Sequence, residues 1–143
     1  MKTKKIISVV YFSFILILTA QNYNYAQVSV VVSKSSNNKL TKDEITEVFS
    51  GVRLTWSNGS KVQVVDQSES EVGNNFYKNF LGKSVNQIRV QWTKLVLSGQ
   101  ASAPIKAQND EEVKKNVSSN PSAVGYISTK SLDGSVKEIF RIE

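Results

Sequence analysis

Between Leu40 and Leu81 the chain alternates helix signals with a strand signal, and this alternation restricts it to a layered α/β fold. Thr41 is followed three residues later by Glu44, the capping-box pattern in which a hydroxyl and a carboxylate each satisfy a backbone N–H at a helix start. Ile45, Val48 and Phe49 then recur at helical spacing, and Gly51 supplies a stop, because glycine takes the left-handed conformation past a helix end at little cost. A Trp56-Ser57-Asn58-Gly59 turn leads into β-branched Lys61–Val65, and a second box, Ser68…Glu71, opens a helix carrying Val72, Phe76, Phe80 and Leu81. A helix with one apolar stripe and a strand with an apolar face are stable only when laid against each other.

The remainder repeats the pattern. Ser84…Gln87 precedes the stripe Val85, Ile88, Trp92, Leu95 and Val96, and Asn109…Glu112 precedes Val113 and Val117, with Gly82 and Gly99 as stops. Val28–Val32, Ala123–Ser128 and Val136–Ile142 read as further strands, and Leu132-Asp133-Gly134-Ser135 predicts a hairpin turn joining the last two. The expectation is an α/β sandwich with a mixed sheet. Trp92, in mid-stripe, and Tyr126, within a strand, are expected in the core, and Tyr77 at the edge of an apolar face. Trp56 either packs on the first helix or presents a contact surface to a partner.

Lys2, Lys4 and Lys5 followed by the apolar run Ile6–Ala20 read as an export signal, with small residues at Ala20 and Ala26 as cleavage points and Met1–Ala26 the preferred signal. The run is too short for a comfortable membrane span, so no stable span is expected after cleavage. Those 26 residues hold three lysines and no acid, so the formal charge of +6 falls to +3 in Gln27–Glu143, a single domain. A chain so near neutrality, with its basic residues scattered, lacks the clustered positive face of a nucleic-acid binder. The chain has no cysteine and no histidine, which excludes serine–histidine and cysteine–histidine catalysis and zinc sites built on those ligands. An exported protein without cysteine fits a bacterial periplasm or envelope. Asp43-Glu44, Glu69/Glu71 and Asp110-Glu111-Glu112 all fall in first turns of predicted helices, where acids favour the helix dipole, so the expectation is a non-enzymatic protein without cofactor or metal.

Several segments stand in a telling order: Leu40–Ile45 leading to Val48-Phe49-Ser50-Gly51, the Trp56 turn, the strand Val62–Val65, a serine-containing helix start, Gln91-Trp92, Leu97-Ser98-Gly99, and Ser122-Ala123-Val124-Gly125-Tyr126-Ile127. This order resembles the phosphate-type substrate-binding proteins of ABC transporters over nearly all of Gln27–Glu143, though it corresponds to one lobe of a two-lobed protein. The resemblance implies a single lobe of a type II periplasmic-binding-protein-like fold, α/β, with a mixed sheet flanked by about four helices. In that family the anion is held between lobes by backbone N–H groups and hydroxyls at helix starts and by an arginine ahead of a Ser-Gly-Thr segment. The equivalent stretch here is Val65-Asp66-Gln67-Ser68-Glu69-Ser70-Glu71-Val72-Gly73, which has no arginine and adds Asp66, Glu69 and Glu71. Loss of the guanidinium and addition of carboxylates both act against phosphate.

The candidate ligand-binding residues are Gln67, Ser68 and Ser70 at this strand-to-helix junction and Ser33 and Ser35 in the loop Ser33–Asn38 after the first strand. Both segments are expected beyond the carboxyl ends of the strands, where open α/β sheets bind ligands. Ser68 has a competing role as the helix cap, which would occupy its hydroxyl. The resulting expectation is an exported phosphate or other oxyanion solute-binding-like protein associated with ABC-type phosphate transport, with weak or lost phosphate binding. A transporter or envelope protein is the expected partner, and homodimerisation would supply the missing second wall. The alternative is an envelope interaction or scaffold module with no small ligand.

Overall fold

Val28–Ser33 (β1) is buried along its whole length, as a strand with Val28, Val30 and Val32 on one face and Ser29 and Val31 on the other must be if it lies in the middle of a covered sheet. The computed structural model describes residues 26–143; apart from Ala26, the proposed export signal lies outside them. The chain continues through α1 (Lys42–Phe49), β2 (Gln63–Asp66), α2 (Glu71–Asn75, extended by a π-helical turn Phe76–Leu81), α3 (Val85–Leu97), β3 (Ile105–Lys106), α4 (Asp110–Ser118), β4 (Ala123–Ser128) and β5 (Val136–Ile142). The five strands form one mixed sheet in the order β3-β2-β4-β1-β5. β2 runs parallel to β3 and β4, and β1 runs antiparallel to β4 and β5.

The two faces are covered unequally. Val28, Val30, Val32 and Tyr126 meet Ile45, Val48 and Phe49 of α1, Phe76 and Tyr77 of the π turn, and Ile88, Trp92 and Leu95 of α3. Val31, Val65 and Ile127 meet Val113 and Val117 of α4 on the other face. Three of the four helices thus share one side of the sheet. Phe76 stacks on Tyr126 with ring centroids 4.0 Å apart, and Phe49 packs edge-on to Phe76 at 4.9 Å. Both tryptophans are buried with their indole N–H groups satisfied: Trp92 donates to the carbonyl of Phe49 at 2.9 Å and Trp56 to that of Ser122 at 3.0 Å. Trp56 therefore presents no contact surface to a partner.

The capping boxes at Thr41 and Ser84 close in both directions, and Asn109 caps α4 by accepting from the N–H of Glu112 at 3.0 Å. The box expected at Ser68 does not form. The N–H of Ser70 donates to the carbonyl of Gln67 at 2.9 Å, folding Ser68-Glu69 into a turn. Ser70 becomes the cap, its hydroxyl accepting from the N–H of Gly73 at 3.0 Å. Glu71 is then the first helical residue and too early to complete a box.

The last two strands are not a hairpin. Val28 pairs with both Ser128 and Ile142, so β1 lies between β4 and β5, and those two run parallel. Parallel strands cannot be joined by a tight turn. The Thr129–Ser135 connection instead crosses back over β1, and Leu132 packs into the core on the α4 side. Lys114 of α4 ties this crossover down, donating to the carboxylate of Asp133 at 2.7 Å and the carbonyl of Ser131 at 3.1 Å. Asp133, together with Glu111 at 2.7 Å, raises the Lys114 ammonium above its ordinary value, and Lys114 holds the Asp133 carboxyl well below the usual carboxylate range. Among the described residues no helix is long and apolar enough to cross a membrane.

Candidate functional site

β2 ends on Asp66, whose side chain is fixed by two phenols. Tyr77 of the π turn donates to Asp66 Oδ1 at 2.9 Å, and Tyr126 of β4 donates to the same oxygen at 2.8 Å. The backbone N–H of Gln67 donates in turn to the Tyr126 hydroxyl at 3.2 Å. The Gln67 side chain, 1% exposed, donates to the Tyr126 carbonyl at 2.8 Å and to Asp110 Oδ1 at 2.7 Å. Asp110 also accepts from the hydroxyl of Ser131 at 2.6 Å, so the end of β2, the start of α4 and the chain leaving β4 share one hydrogen-bonded network.

Burial pushes both phenols well above the usual tyrosine value of 10.0, and the nearby Asp66 carboxylate adds to the shift. They remain O–H donors throughout the physiological range. Tyr77 and Tyr126 are also the only tyrosines after residue 25. Spectrophotometric titration of Gln27–Glu143 should therefore show no phenolate absorbance near pH 10, and all of it on alkaline unfolding. An acid whose folded-state pKa is raised contributes stability that is intact below about pH 10 and declines above it, by roughly 1.4 kcal/mol per pH unit per phenol. Phenolate appearing at pH 10 in the folded chain would contradict the network.

Above Asp66 lies an open cleft of about 310 Å³. One wall is α3, which contributes Val85, Ile88, Arg89, Trp92, Thr93, Val96 and Leu97; the other is Ala103-Pro104 and Lys106 at β3. Ser68 and Tyr77 line it with Asp66. Arg89 makes only a long contact to Glu69, at 3.6 Å between exposed groups, a kind of pair that contributes little to stability. Lys106 has no salt-bridge partner among the described residues. Two cations, two hydroxyl-bearing side chains and a phenol thus meet a mainly aliphatic wall. Among the described residues no three acidic side chains converge as a metal site would require.

The sequence candidates divide. Ser68 lines the cleft, and none of the described residues hydrogen-bonds its hydroxyl. Ser70 is committed as the α2 cap, also donating to the carbonyl of Gln67 at 2.8 Å, and the Gln67 amide is committed to its buried network. Ser33 and Ser35 do not join them. Their hydroxyls bond each other at 3.0 Å, and Ser33 lies beside the carbonyl of Ser118, at the far end of α4. Because β1 is antiparallel to β4, and β4 parallel to β2, the chain leaves β1 at the opposite end of the strands from where it leaves β2. The two serine groups are separated by roughly 15 Å, at about 3.3 Å per strand residue. The cations escaped the sequence reading because Arg89 and Lys106 lie far along the chain from Ser68 and come from a helix and a two-residue strand. The one hint was position: Arg89 follows Ile88 at the margin of the α3 apolar stripe.

No family model and no curated protein matches the chain, whereas solved structures do. An ABC-type phosphate transport receptor from Vibrio cholerae superposes with a TM-score of 0.62 at 23% identity, covering 84% of this chain and 50% of that one. A proposed phosphate ABC transporter substrate-binding protein from Clostridium perfringens, solved with bound phosphate, gives 0.62 at 19% identity over 80% of this chain and 45% of that one. PstS from Borrelia burgdorferi gives 0.58 at 14% identity over 85% and 53%. The chain spans about half the length of each solved protein. It has the fold of a single lobe of the phosphate ABC transporter substrate-binding proteins, the fold its segment order resembles.

Proposed function

We propose that this chain is an exported, non-enzymatic oxyanion-binding protein of the phosphate-receptor type, acting in the bacterial periplasm or envelope beside an ABC-type transporter. Met1–Ala26 is its export signal and Gln27–Glu143 its binding domain. The observation that carries the reading is the convergence of Arg89 and Lys106 with Ser68 over the carboxyl end of β2, where open α/β sheets bind ligands. Arg89 takes the part of the guanidinium that is missing from the strand-to-helix stretch itself, a bidentate donor to an oxyanion.

Inorganic phosphate is bound weakly in this reading. The Asp66 carboxylate lines the same cleft and Glu69 lies against Arg89, so part of the attraction is cancelled. The cleft is also open to water, which screens what remains. Isothermal titration with inorganic phosphate at two salt concentrations should give a Kd of about 1 mM or weaker, rising with salt. The Arg89→Ala/Lys106→Ala double variant should show no heat. Equal binding by the double variant would remove the site, and absence of heat from the wild type at tens of millimolar phosphate would favour the envelope-interaction reading. That second reading draws on Val90 and Leu97, which stand 55% and 83% exposed on α3.

A further inference from the structure

Building on the oxyanion reading, we infer that the cleft over Asp66 selects an organic oxyanion, one charged head on an apolar body of about the size of a phenyl ring, over a bare inorganic anion. The first argument is size. A volume of about 310 Å³ lies within the range of small-molecule sites, and a tetrahedral anion would leave most of it to water. The second is the distribution of chemistry. Arg89, Lys106 and Ser68 can meet a charged head, whereas Val85, Ile88, Trp92, Val96 and Leu97 offer hydrocarbon that no inorganic ion can use.

Leu97 and Val96 are informative because the core does not account for them. They are 83% and 38% exposed, on the last turn of α3, at the cleft. An apolar body seated there would cover them together with the Trp92 face. Removing a phenyl ring from water against such walls is worth about tenfold to a hundredfold in affinity.

The charge of Asp66 is the lever by which the sign of the head is tested. It is the one carboxylate lining the cleft, and one of its oxygens already accepts from both Tyr77 and Tyr126. Against an anionic head it is purely repulsive, whereas a cationic amine would bind through it. Asp66→Asn retains an acceptor for the two phenols and removes the charge. It should tighten an organic anion by roughly threefold to tenfold, and would weaken an amine.

The test is calorimetry on protein purified from a bacterial host expressing the full chain, with phenyl phosphate, inorganic phosphate, phenol and phenethylamine as probes. Phenyl phosphate should bind at least tenfold tighter than inorganic phosphate, tighten further in Asp66→Asn, and quench tryptophan emission through Trp92. Val96→Ser/Leu97→Ser changes residues outside the core, so the fold should survive. That variant should bring phenyl phosphate down to the level of inorganic phosphate and leave inorganic phosphate unchanged. Equal affinity for the two phosphates in the wild type would overturn this inference and leave the oxyanion reading standing. Binding of phenethylamine, weakened by Asp66→Asn, would overturn it in favour of a cationic ligand. Silence of both phosphates would overturn the inference and the oxyanion reading together.

Discussion

Gly73→Ala should destabilise the protein by about 3 kcal/mol, lowering the thermal midpoint by roughly 12 °C or more. A methyl at this position would stand 2.2 Å from the carbonyl oxygen of Gln67, 2.7 Å from the Cα of Ser68 and 2.8 Å from the carbonyl carbon of Gln67. All three are backbone atoms, so no side-chain rotation relieves the overlap. The same carbonyl accepts from the N–H and hydroxyl of Ser70, and its displacement would also break the α2 cap. Gly73 is helical, with no positive φ, so alanine would otherwise be the better residue by about 1 kcal/mol. A loss on substitution therefore reports close packing of the helix on the turn. Gly59→Ala is the control: its φ is +83° and nothing lies within 4 Å, so it should cost only about 1 kcal/mol. Thermal melts of both variants check the prediction, and a Gly73→Ala protein as stable as the wild type would refute the packing of α2 on the Gln67-Ser68 turn.

Asp66→Ala should cost about 2–4 kcal/mol, while Asp66→Asn should cost less than about 1. The alanine removes the acceptor shared by two phenols. Tyr126 is fully buried and stacked on Phe76 at 4.0 Å, so its hydroxyl cannot turn to water. Tyr77 is 4% exposed and also lines the cleft, where water can partly replace the lost acceptor. Asparagine keeps an oxygen in the same place, so the difference between the two variants isolates the hydrogen bonds from the charge. Denaturant midpoints measure both. Equal stability of the alanine and asparagine variants would show that the phenol–carboxylate network contributes nothing. The acidic residue that reads from sequence as an obstacle to phosphate thus has a structural task, orienting two aromatic rings at the base of the cleft.

Much of the fold was legible because its signals are local. A capping box is a contact between residues three apart, and Thr41 and Ser84 form theirs as expected. Gly51, Gly82 and Gly99 all take positive φ after their helices. Ala123–Ser128 and Val136–Ile142 form strands at their expected limits. The Ser68 box failed for an equally local reason: Ser70, two residues on, makes the same kind of cap, and the Gln67–Ser70 turn selects it. Sequence spacing alone offers no way to choose between two serines competing for one helix start.

What the sequence determined by itself, then, is where helices and strands lie and which stripe of each is apolar, because those follow from backbone sterics and hydrophobic spacing within a few residues. Strand order and direction were decided only by the tertiary structure. Nothing between Ser128 and Val136 announces that β1 will lie between the strands they bound, since that insertion depends on pairing with residues about a hundred positions earlier. From the same cause, Ser33 and Ser35 went to the other end of the strands, and Arg89 and Lys106 came to Ser68 and Asp66. The cleft is a property of where strand ends meet in space, and the packing of a whole sheet sets that.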